Sequence, residues 1–249
     1  MSGHSKWATI KHKKAAVDKA RGKLFAKLAR QIEVSAREGG GDPDSNASLR
    51  TMVLKAKAAQ MTNDAIDRAI KRGMGEQTGA SYESITYEGY APGGVALLID
   101  VLTDNRNRTS GDVRAVFSKY GGAMAEPGAV GWQFSRKGIV IVDGRAGEDD
   151  VMVAALDAGA EDIARDGDAW KVTTEPSVVF DVKAALEAAG LSVLSAESTM
   201  VSSNLVPVDD VDDAKKVLRI MDALEDNDDV QDVYSNFDMS DDIMTAASA

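Results

Sequence analysis

The chain has 249 residues, of which 44% are hydrophobic and 28% are charged, as is usual for a globular protein. The absence of cysteine excludes disulfides, thiolate catalysis and Cys-ligated zinc, and no apolar run approaches the roughly 18 residues that span a bilayer. The net charge of −11 is uneven, because residues 1–80 carry 16 Lys and Arg against 8 Asp and Glu, whereas residues 81–249 carry 13 against 32. This asymmetry predicts a basic arm with an anionic partner. The Lys-rich beginning has no apolar segment after it, so we expect a cytoplasmic protein.

Three amphipathic helices are predicted in the basic part of the chain. The first has apolar residues at spacings of three, four and seven over Val17–Ile32 and ends at the glycines 39–41. The second carries the apolar stripe Leu49–Ala56, and the third runs from about Asn63 to Gly73. Together they predict a small helical domain, followed by a glycine-rich linker to Ser81.

Strands alternate with helices in the rest of the chain. The first group comprises strands at Tyr82–Glu88 and Val95–Leu102, a helix at Arg106–Lys119 and a strand at Val130–Phe134. The second group comprises a strand at Ile139–Val142, a helix at Glu148–Ala158, strands at Glu161–Arg165 and Ala169–Thr174, a helix at Ser177–Ala189 and a strand at Leu191–Met200. Its β-α-β-β-α-β order is that of a ferredoxin-like unit.

The last elements, a helix at Asp210–Glu225 and a strand at Val230–Phe237, are too short to fold alone. We expect them to complete the first group of strands. The prediction is therefore an α+β protein with an N-terminal helical domain followed by two ferredoxin-like α/β domains, one inserted into the other. The predicted boundaries are 1–80 for the basic helical domain, 81–134 plus 204–240 for the discontinuous domain, 135–203 for the inserted domain and 241–249 for a flexible tail.

The basic arm is the strongest candidate for a binding site, because residues 1–30 hold nine cations against one acid. Phosphate neutralisation dominates the affinity of proteins for nucleic acid, and aromatic rings between cations can stack on bases. The candidate residues in the arm are Lys6, Trp7, Lys11, His12, Lys13, Lys14, Lys19, Arg21, Lys23 and Lys27. Two alternatives remain, namely a solvated helix face and an arm that docks onto the acidic half of the same chain.

A second candidate lies where a buried strand leads into a helix, at Thr103–Thr109. Arg106 and Arg108 could bind phosphate beside the unpaired N–H groups of the helix N-terminus. The alternative is structural, with Asp104 or Asn105 capping the helix and the arginines paired with nearby acids. A further basic segment, 135–138, is interpreted as a turn between strands.

The sequence favours no enzyme class. The glycine-containing stretch 87–94 lacks the Gly-Lys-Ser/Thr ending of a P-loop, so it predicts a hairpin turn. His4 and His12 are the only histidines, and both lie in the arm, which argues against a buried triad and against a zinc site. The acidic clusters lack the spacing of a calcium loop and predict surface charge or a groove for a basic partner protein. No cofactor, metal or small-molecule substrate is predicted.

Several long motifs resemble the YebC family and occur in the family's order. They are Met1–Trp7, Lys11–Lys14, Tyr87–Gly94, Thr103–Arg108, Phe134–Gly138 and Leu224–Asn236. The resemblance covers essentially the whole chain. It implies a helical N-terminal domain and two α/β domains, one inserted in the other, in agreement with the pattern of elements.

The resemblance also implies a function in gene expression. Bacterial members of the family are mostly described as probable transcriptional regulators that bind promoter DNA, and the mitochondrial relatives are translational activators. Our leading hypothesis is a DNA-binding transcriptional regulator, and the main alternative is an RNA- or ribosome-associated translational activator. The third hypothesis is a protein-interaction module whose acidic half binds a basic partner. No membrane partner is expected, and the sequence does not specify an oligomeric state.

Overall fold

The computed structural model describes residues 17–75 and 82–248, with side chains for 22–75, 82–240 and 242–248. The first described part contains the helices α1 (Val17–Gly39), α2 (Ala47–Ala58) and α3 (Asn63–Met74). Their apolar stripes meet in one core, which contains Ile32, Leu49 and Ile66. Gly73 lies where α3 touches α1, because a Cβ there would collide with the main-chain oxygen of Glu33. The three helices predicted from periodicity are therefore present and packed together.

The next segment begins the first sheet. It consists of β1 (Glu83–Ala91), β2 (Val95–Thr103), α4 (Arg106–Lys119) and β3 (Ala123–Ala125). β1 and β2 form an antiparallel hairpin, and Gly93 and Gly94 in its turn both have a positive φ. β3 is a short strand that the sequence analysis did not predict.

The following residues form a second, separate sheet. Its elements are β4 (Phe134–Asp143), α5 (Glu148–Asp157), β5 (Ala160–Asp166), β6 (Ala169–Thr174), α6 (Val179–Ala188) and β7 (Val193–Ser202). The strands are antiparallel in the order β5-β6-β4-β7, which is the order of a ferredoxin-like unit. α5 and α6 contribute Val151, Val182 and Leu186 to the core of this unit.

The chain then returns to the first sheet. β8 (Val206–Pro207), α7 (Val211–Glu225), β9 (Val230–Ser235), β10 (Phe237–Asp238) and α8 (Asp241–Ser248) follow in order. β9 pairs with β2, so the first sheet has the order β3-β1-β2-β9 although β9 lies more than 100 residues after β3. β8 and β10 pair in parallel as a separate two-stranded sheet. The fold of the described residues is α+β, with N-terminal helices followed by two four-stranded antiparallel sheets, as the sequence predicts. The sheet membership supports the proposed insertion, and the domain boundaries themselves stay a proposal.

The two faces of the first sheet have different coverings. On one face Ile99 and Val233 pack with Phe117 of α4 and Leu224 of α7 in the main core. On the opposite face Ala96, Leu98 and Tyr234 pack with Val130 and Phe134, which lead into the second sheet, and with Met200 of β7. The second unit therefore covers part of the first sheet on the side away from its helices.

The two ends of the inserted segment meet at Asn236, which is buried. Its side-chain Nδ2 donates hydrogen bonds to Oε1 of Gln133 (3.0 Å) and to the main-chain oxygen of Asn204 (2.9 Å). The N–H of Ser203 also donates to the main-chain oxygen of Gln133 at 2.9 Å. The chain thus enters and leaves the second unit at neighbouring points.

Two expectations about residues 130–138 are wrong. Val130–Phe134 is not a strand, because residues 131–133 form a 3₁₀ turn, and the supposed turn at 135–138 lies inside the continuous strand β4. The carboxylate of Glu88 accepts hydrogen bonds from the N–H groups of Gly128, Val130 and Gly131 and thereby holds the turn. Gly138 marks a close approach between strand and helix, since a Cβ there would lie 2.7 Å from Cβ of Val179.

The expectation of a flexible tail after residue 240 is also wrong for the described residues. Residues 241–248 form α8, and Met244 is fully buried in the main core beside Met239. Burial of these two apolar side chains stabilises the terminal helix against the first sheet's helical layer.

Candidate nucleic-acid interface

The candidate residues of the arm fall into three groups in the structure. Lys6, Trp7, Lys11, His12, Lys13 and Lys14 lie outside the described residues, as does His4. Lys19 and Arg21 lie on α1, but their side chains are not described. Lys23 and Lys27 are described, and the spacing of four residues places them on one face of α1 together with Arg30. We call Lys23, Lys27 and Arg30 the cation row.

The cation row contacts residues 225–229 at the end of α7, which we call the acidic loop. The Lys23 ammonium donates to Oδ1 and to the main-chain oxygen of Asp226, at 2.9 and 3.2 Å. The Lys27 ammonium donates to the main-chain oxygen of Glu225 at 2.8 Å. Lys23 and Lys27 therefore contact the acidic half of the same chain in this structure, as the docking alternative of the sequence analysis expects.

Arg30 binds the same loop more deeply. Its Nη1 lies 3.0 Å from the main-chain oxygen of Asp228, 3.2 Å from Oδ1 of Asp229 and 3.2 Å from the main-chain oxygen of Leu102. Its guanidinium also lies 5.0 Å from the ring centre of Tyr82, within the range of a cation–π contact. The sequence analysis did not single out Arg30.

Asp229 is the centre of the contact. Its Oδ2 accepts hydrogen bonds from Arg108 Nη2 (2.6 Å) and from the hydroxyls of Thr109 (2.7 Å) and Thr103 (3.2 Å), while Oδ1 faces Arg30. Burial alone would raise the pKa of Asp229, but the hydrogen bonds from Arg108, Thr109 and Thr103 and the charge of Arg108 hold this pKa below its ordinary value. The carboxylate is therefore charged at neutral pH, and it joins α1, β2 and α4.

The two arginines of the second predicted site, Arg106 and Arg108, have different environments. Asn105 caps α4 by accepting the N–H of Arg108, and the guanidinium of Arg108 is bound to Asp104 (2.8 Å) as well as to Asp229. These carboxylates raise the pKa of Arg108 further. Arg106 is exposed on the same helical turn and forms no ion pair with any residue that the structure describes. The structural alternative thus accounts for Arg108, whereas Arg106 keeps an accessible guanidinium.

An open groove of about 400 Å³ lies at this junction. It is lined by Arg30, Arg108, Asp112, Asp226, Asn227, Asp228 and Asp229. Because four of the seven side chains are carboxylates, the groove as it stands is a poor site for phosphate.

Accessible cations lie elsewhere on the helical part. Lys57, Arg68 and Lys71 on α2 and α3 are exposed, and none of them forms an ion pair within residues 17–75 and 82–248. By comparison, Arg72 pairs with Glu33 at 3.2 Å. The sequence analysis missed the three accessible cations, because they lie outside the basic arm and near acids such as Asp64 and Asp67, and a sequence does not show which cations are paired. They place exposed positive charge on α2 and α3.

The aromatic side chain of Trp132 is exposed just before the second unit begins at β4. Trp132 is 71% exposed, and its Nε1 donates to the main-chain oxygen of Ala129 at 3.0 Å. The hydroxyl of Tyr90 donates to the same oxygen at 3.2 Å, and Tyr90 is also exposed. The Glu88-bound turn therefore holds an indole ring in the open, and such a ring can stack on an unpaired base.

The described part of the chain offers neither a metal site nor a membrane span. Within the described ranges, no group of three or more His, Cys, Asp and Glu side chains is arranged to hold a metal ion. No helix in those ranges is both long enough and apolar enough to cross a bilayer.

Comparison with known proteins identifies the family. Residues 5–76 match the model described as the TACO1/YebC protein N-terminal domain, and residues 82–237 match that of the TACO1/YebC second and third domain. The chain belongs to the TACO1/YebC family. The resemblance noted from the motifs is thereby confirmed.

Members of the TACO1/YebC family resemble this chain over nearly its whole length. A protein of Rubrobacter xylanophilus is 56% identical over 246 residues, or 98% of each chain, and one of Halothermothrix orenii is 54% identical over 247 residues, again 98% of each. Both are named probable transcriptional regulatory protein. The crystal structure of a conserved hypothetical protein from Aquifex aeolicus is 43% identical, with a TM-score of 0.81 over 95% of this chain and 98% of that one.

Proposed function

We propose that this TACO1/YebC protein is a nucleic-acid-binding regulator, and specifically a DNA-binding transcriptional regulatory protein rather than an enzyme. One observation carries the proposal: the cations are concentrated in the N-terminal part, where Lys57, Arg68 and Lys71 are exposed without a described ion-pair partner. The names of the relatives support a regulatory role. The protein would act in the cytoplasm, with DNA as its partner and without a membrane, cofactor or small-molecule substrate.

The proposed binding mode is contact with the phosphate backbone. The arm residues 6–14, the accessible ends of α2 and α3, and Arg106 supply the contacts. Contacts of this kind position a protein on a duplex but carry no sequence information themselves. We therefore expect weakly selective binding, with an affinity that depends strongly on salt.

The test is the salt dependence of affinity, measured by fluorescence anisotropy on a labelled duplex. A variant with Lys11, Lys13 and Lys14 changed to Ala should reduce the slope of log K against log salt by about 0.9 for each phosphate that the variant no longer neutralises. A second variant with Lys57, Arg68 and Lys71 changed to Ala should also reduce the slope.

The matched control removes three cations that are already paired with acids of the acidic half. Arg145 pairs with Asp143, Lys183 with Glu187 and Lys216 with Asp213. Changing these three cations to Ala alters the net charge equally and should leave the slope unchanged. Equal slopes for all three variants would contradict the proposed binding mode.

A second candidate function, an RNA- or ribosome-associated translational activator, is favoured by Trp132. An exposed indole can stack on bases of single-stranded RNA, whereas the bases of an intact duplex are not accessible in this way. Trp132→Ala should weaken RNA binding and leave duplex DNA binding unchanged if this candidate is correct. Crosslinking in cells followed by sequencing of the bound nucleic acid separates the two functions, because recovery of ribosomal RNA without promoter DNA would exclude the transcriptional one.

A further inference from the structure

We propose that the acidic loop is a built-in competitor of nucleic acid, which covers the cation row and must separate from α1 before a phosphate backbone can bind there. This inference rests on the proposed function and adds a means of regulation to it. It concerns Lys23, Lys27 and Arg30, whose charged groups are all engaged by residues 225–229.

The acidic loop offers the cation row what a phosphate backbone offers. The three charged groups contact oxygen atoms of Glu225, Asp226, Asp228 and Asp229, four of the five residues of the acidic loop. Three of these oxygens are main-chain carbonyls at or just beyond the C-terminus of α7, where the helix dipole leaves partial negative charge. A backbone of nucleic acid likewise presents a row of anionic oxygens, with a full charge at each phosphate.

The contact is weak at one end and strong at the other. The side chain of Lys23 is 34% exposed and that of Asp226 is 78% exposed, and ion pairs as exposed as this contribute little free energy. At the other end Asp229 is only 8% exposed and holds Arg30 together with Arg108. We therefore expect the contact to open first at Lys23 and last at Arg30.

A competitor within the same chain changes which ligands bind. Because the loop is tethered, its local concentration at the cation row is high, and the apparent affinity falls by the fraction of molecules in which the row is open. A ligand with one or two phosphates engages too few of the cations to displace the loop. A continuous backbone reaches the arm and the row together and can displace it.

The separation of α1 from α7 can be measured directly. The chain has no cysteine, so Ala26→Cys and Arg219→Cys place two spin labels at exposed positions of α1 and α7. Electron–electron resonance on the full chain should give a longer distance in the presence of saturating duplex DNA or single-stranded RNA than in its absence. Inorganic phosphate at the same phosphate concentration should leave the distance unchanged.

Two loop variants test the competition. Asp226→Ala removes the carboxylate that binds Lys23, and Asp228→Ala removes an equal charge from a residue that uses only its main-chain oxygen in the contact. The first variant should bind nucleic acid up to about fivefold more tightly than the second, which is the range of an exposed ion pair. Equal affinities, or an unchanged label distance in the saturated complex, would overturn the inference and leave the proposed function standing. Absence of binding by every variant and by the unmodified chain would overturn both.

Discussion

At the scale of single residues, the carboxylate of Asp229 binds groups from three elements of the fold. The hydroxyls of Thr103 and Thr109 are fully buried, and both donate to this one group. The hydroxyl of Thr109 also reaches the main-chain oxygen of Asn105, whereas Asp229 is the carboxylate that Arg30 and Arg108 share, so its loss leaves polar groups at a partly buried site without their acceptor. Asp229 therefore stabilises the packing of α1, β2 and α4 against one another, and its role goes beyond that of a surface ion pair.

The variant Asp229→Ala tests this role. It should lower the free energy of unfolding by about 1–3 kcal/mol, the cost of leaving buried polar groups unsatisfied. Urea denaturation followed by circular dichroism measures the change. Asp228→Ala is the matched control, because the Asp228 side chain is exposed, and it should change the stability little. Equal effects of the two variants would show that the buried hydroxyls do not depend on Asp229.

The carboxyl of Asp100 has a pKa that is shifted in the opposite direction, above its ordinary value. Asp100 on β2 lies directly opposite Asp232 on β9. Burial raises the pKa of Asp100, with a further contribution from the charge of Asp232, although a hydrogen bond from Thr86 opposes both. Because folding raises the pKa of Asp100, the folded state binds the proton of this carboxyl more tightly than the unfolded state does. As the pH rises from the ordinary pKa of an Asp side chain to the raised pKa, Asp100 therefore destabilises the folded protein increasingly.

Asp100→Asn should therefore stabilise the protein at neutral pH. Like charges opposite each other on a sheet cost roughly 0.2–1 kcal/mol, and a gain of this order is expected at pH 7. The gain should shrink as the pH falls and the native carboxyl takes up its proton. Urea denaturation at several pH values measures it, and a variant that is less stable than the native chain at pH 7 would contradict the assignment.

At the scale of the elements, periodicity was sufficient for most of the fold. The spacing of apolar residues predicts α1, and the bounds expected for α4 and α7 agree with the observed ends within one residue. The turn at 128–131 could not be predicted in this way, since it depends on Glu88, about 40 positions earlier in the chain. The contact between the cation row and the acidic loop could not be predicted for the same reason, because the two segments lie some 200 positions apart in the chain.

Helix α8 is an element that the composition of its sequence did not predict. Its Ala- and Ser-rich sequence is typical of a terminus, yet Met244 is completely buried. Met244→Ala should lower the free energy of unfolding by about 2–5 kcal/mol, as for other large-to-small changes in a core. Met74→Ala is the control, because Met74 is 53% exposed, and thermal unfolding compares the two. A small effect of the first variant would mean that α8 is detached in solution.

At the scale of the whole molecule, the chain enters and leaves the inserted unit at neighbouring points. Gln133 and Asn204 flank the insertion, and Asn236 holds both. Chain ends that lie this close are typical of domains that tolerate insertion or removal. The order of elements in the sequence predicted the insertion. The hydrogen bonds by which Asn236 holds both ends of the insertion could be found only in the folded structure.

Removal of the inserted unit tests whether the first sheet folds without it. Replacing residues 135–202 by a short Gly-Ser linker should leave a protein with a cooperative thermal transition, because β1, β2, β3 and β9 and their helical layer remain. Its stability should be reduced, since Met200 no longer covers Ala96 and Leu98. Circular dichroism and calorimetry check both points, and a remainder without any cooperative transition would disprove independent folding.

The joint at Asn236 has a practical consequence for following this protein in cells. If the first sheet folds without the inserted unit, a compact reporter with adjacent termini can be grafted between Gln133 and Ser203, where the N–H of Ser203 donates to the main-chain oxygen of Gln133 at 2.9 Å. The lysine-rich residues 1–30 and the helix α8 then stay untouched by a tag. A fusion next to residues 1–30 would instead lie beside the cations that we propose to bind phosphate.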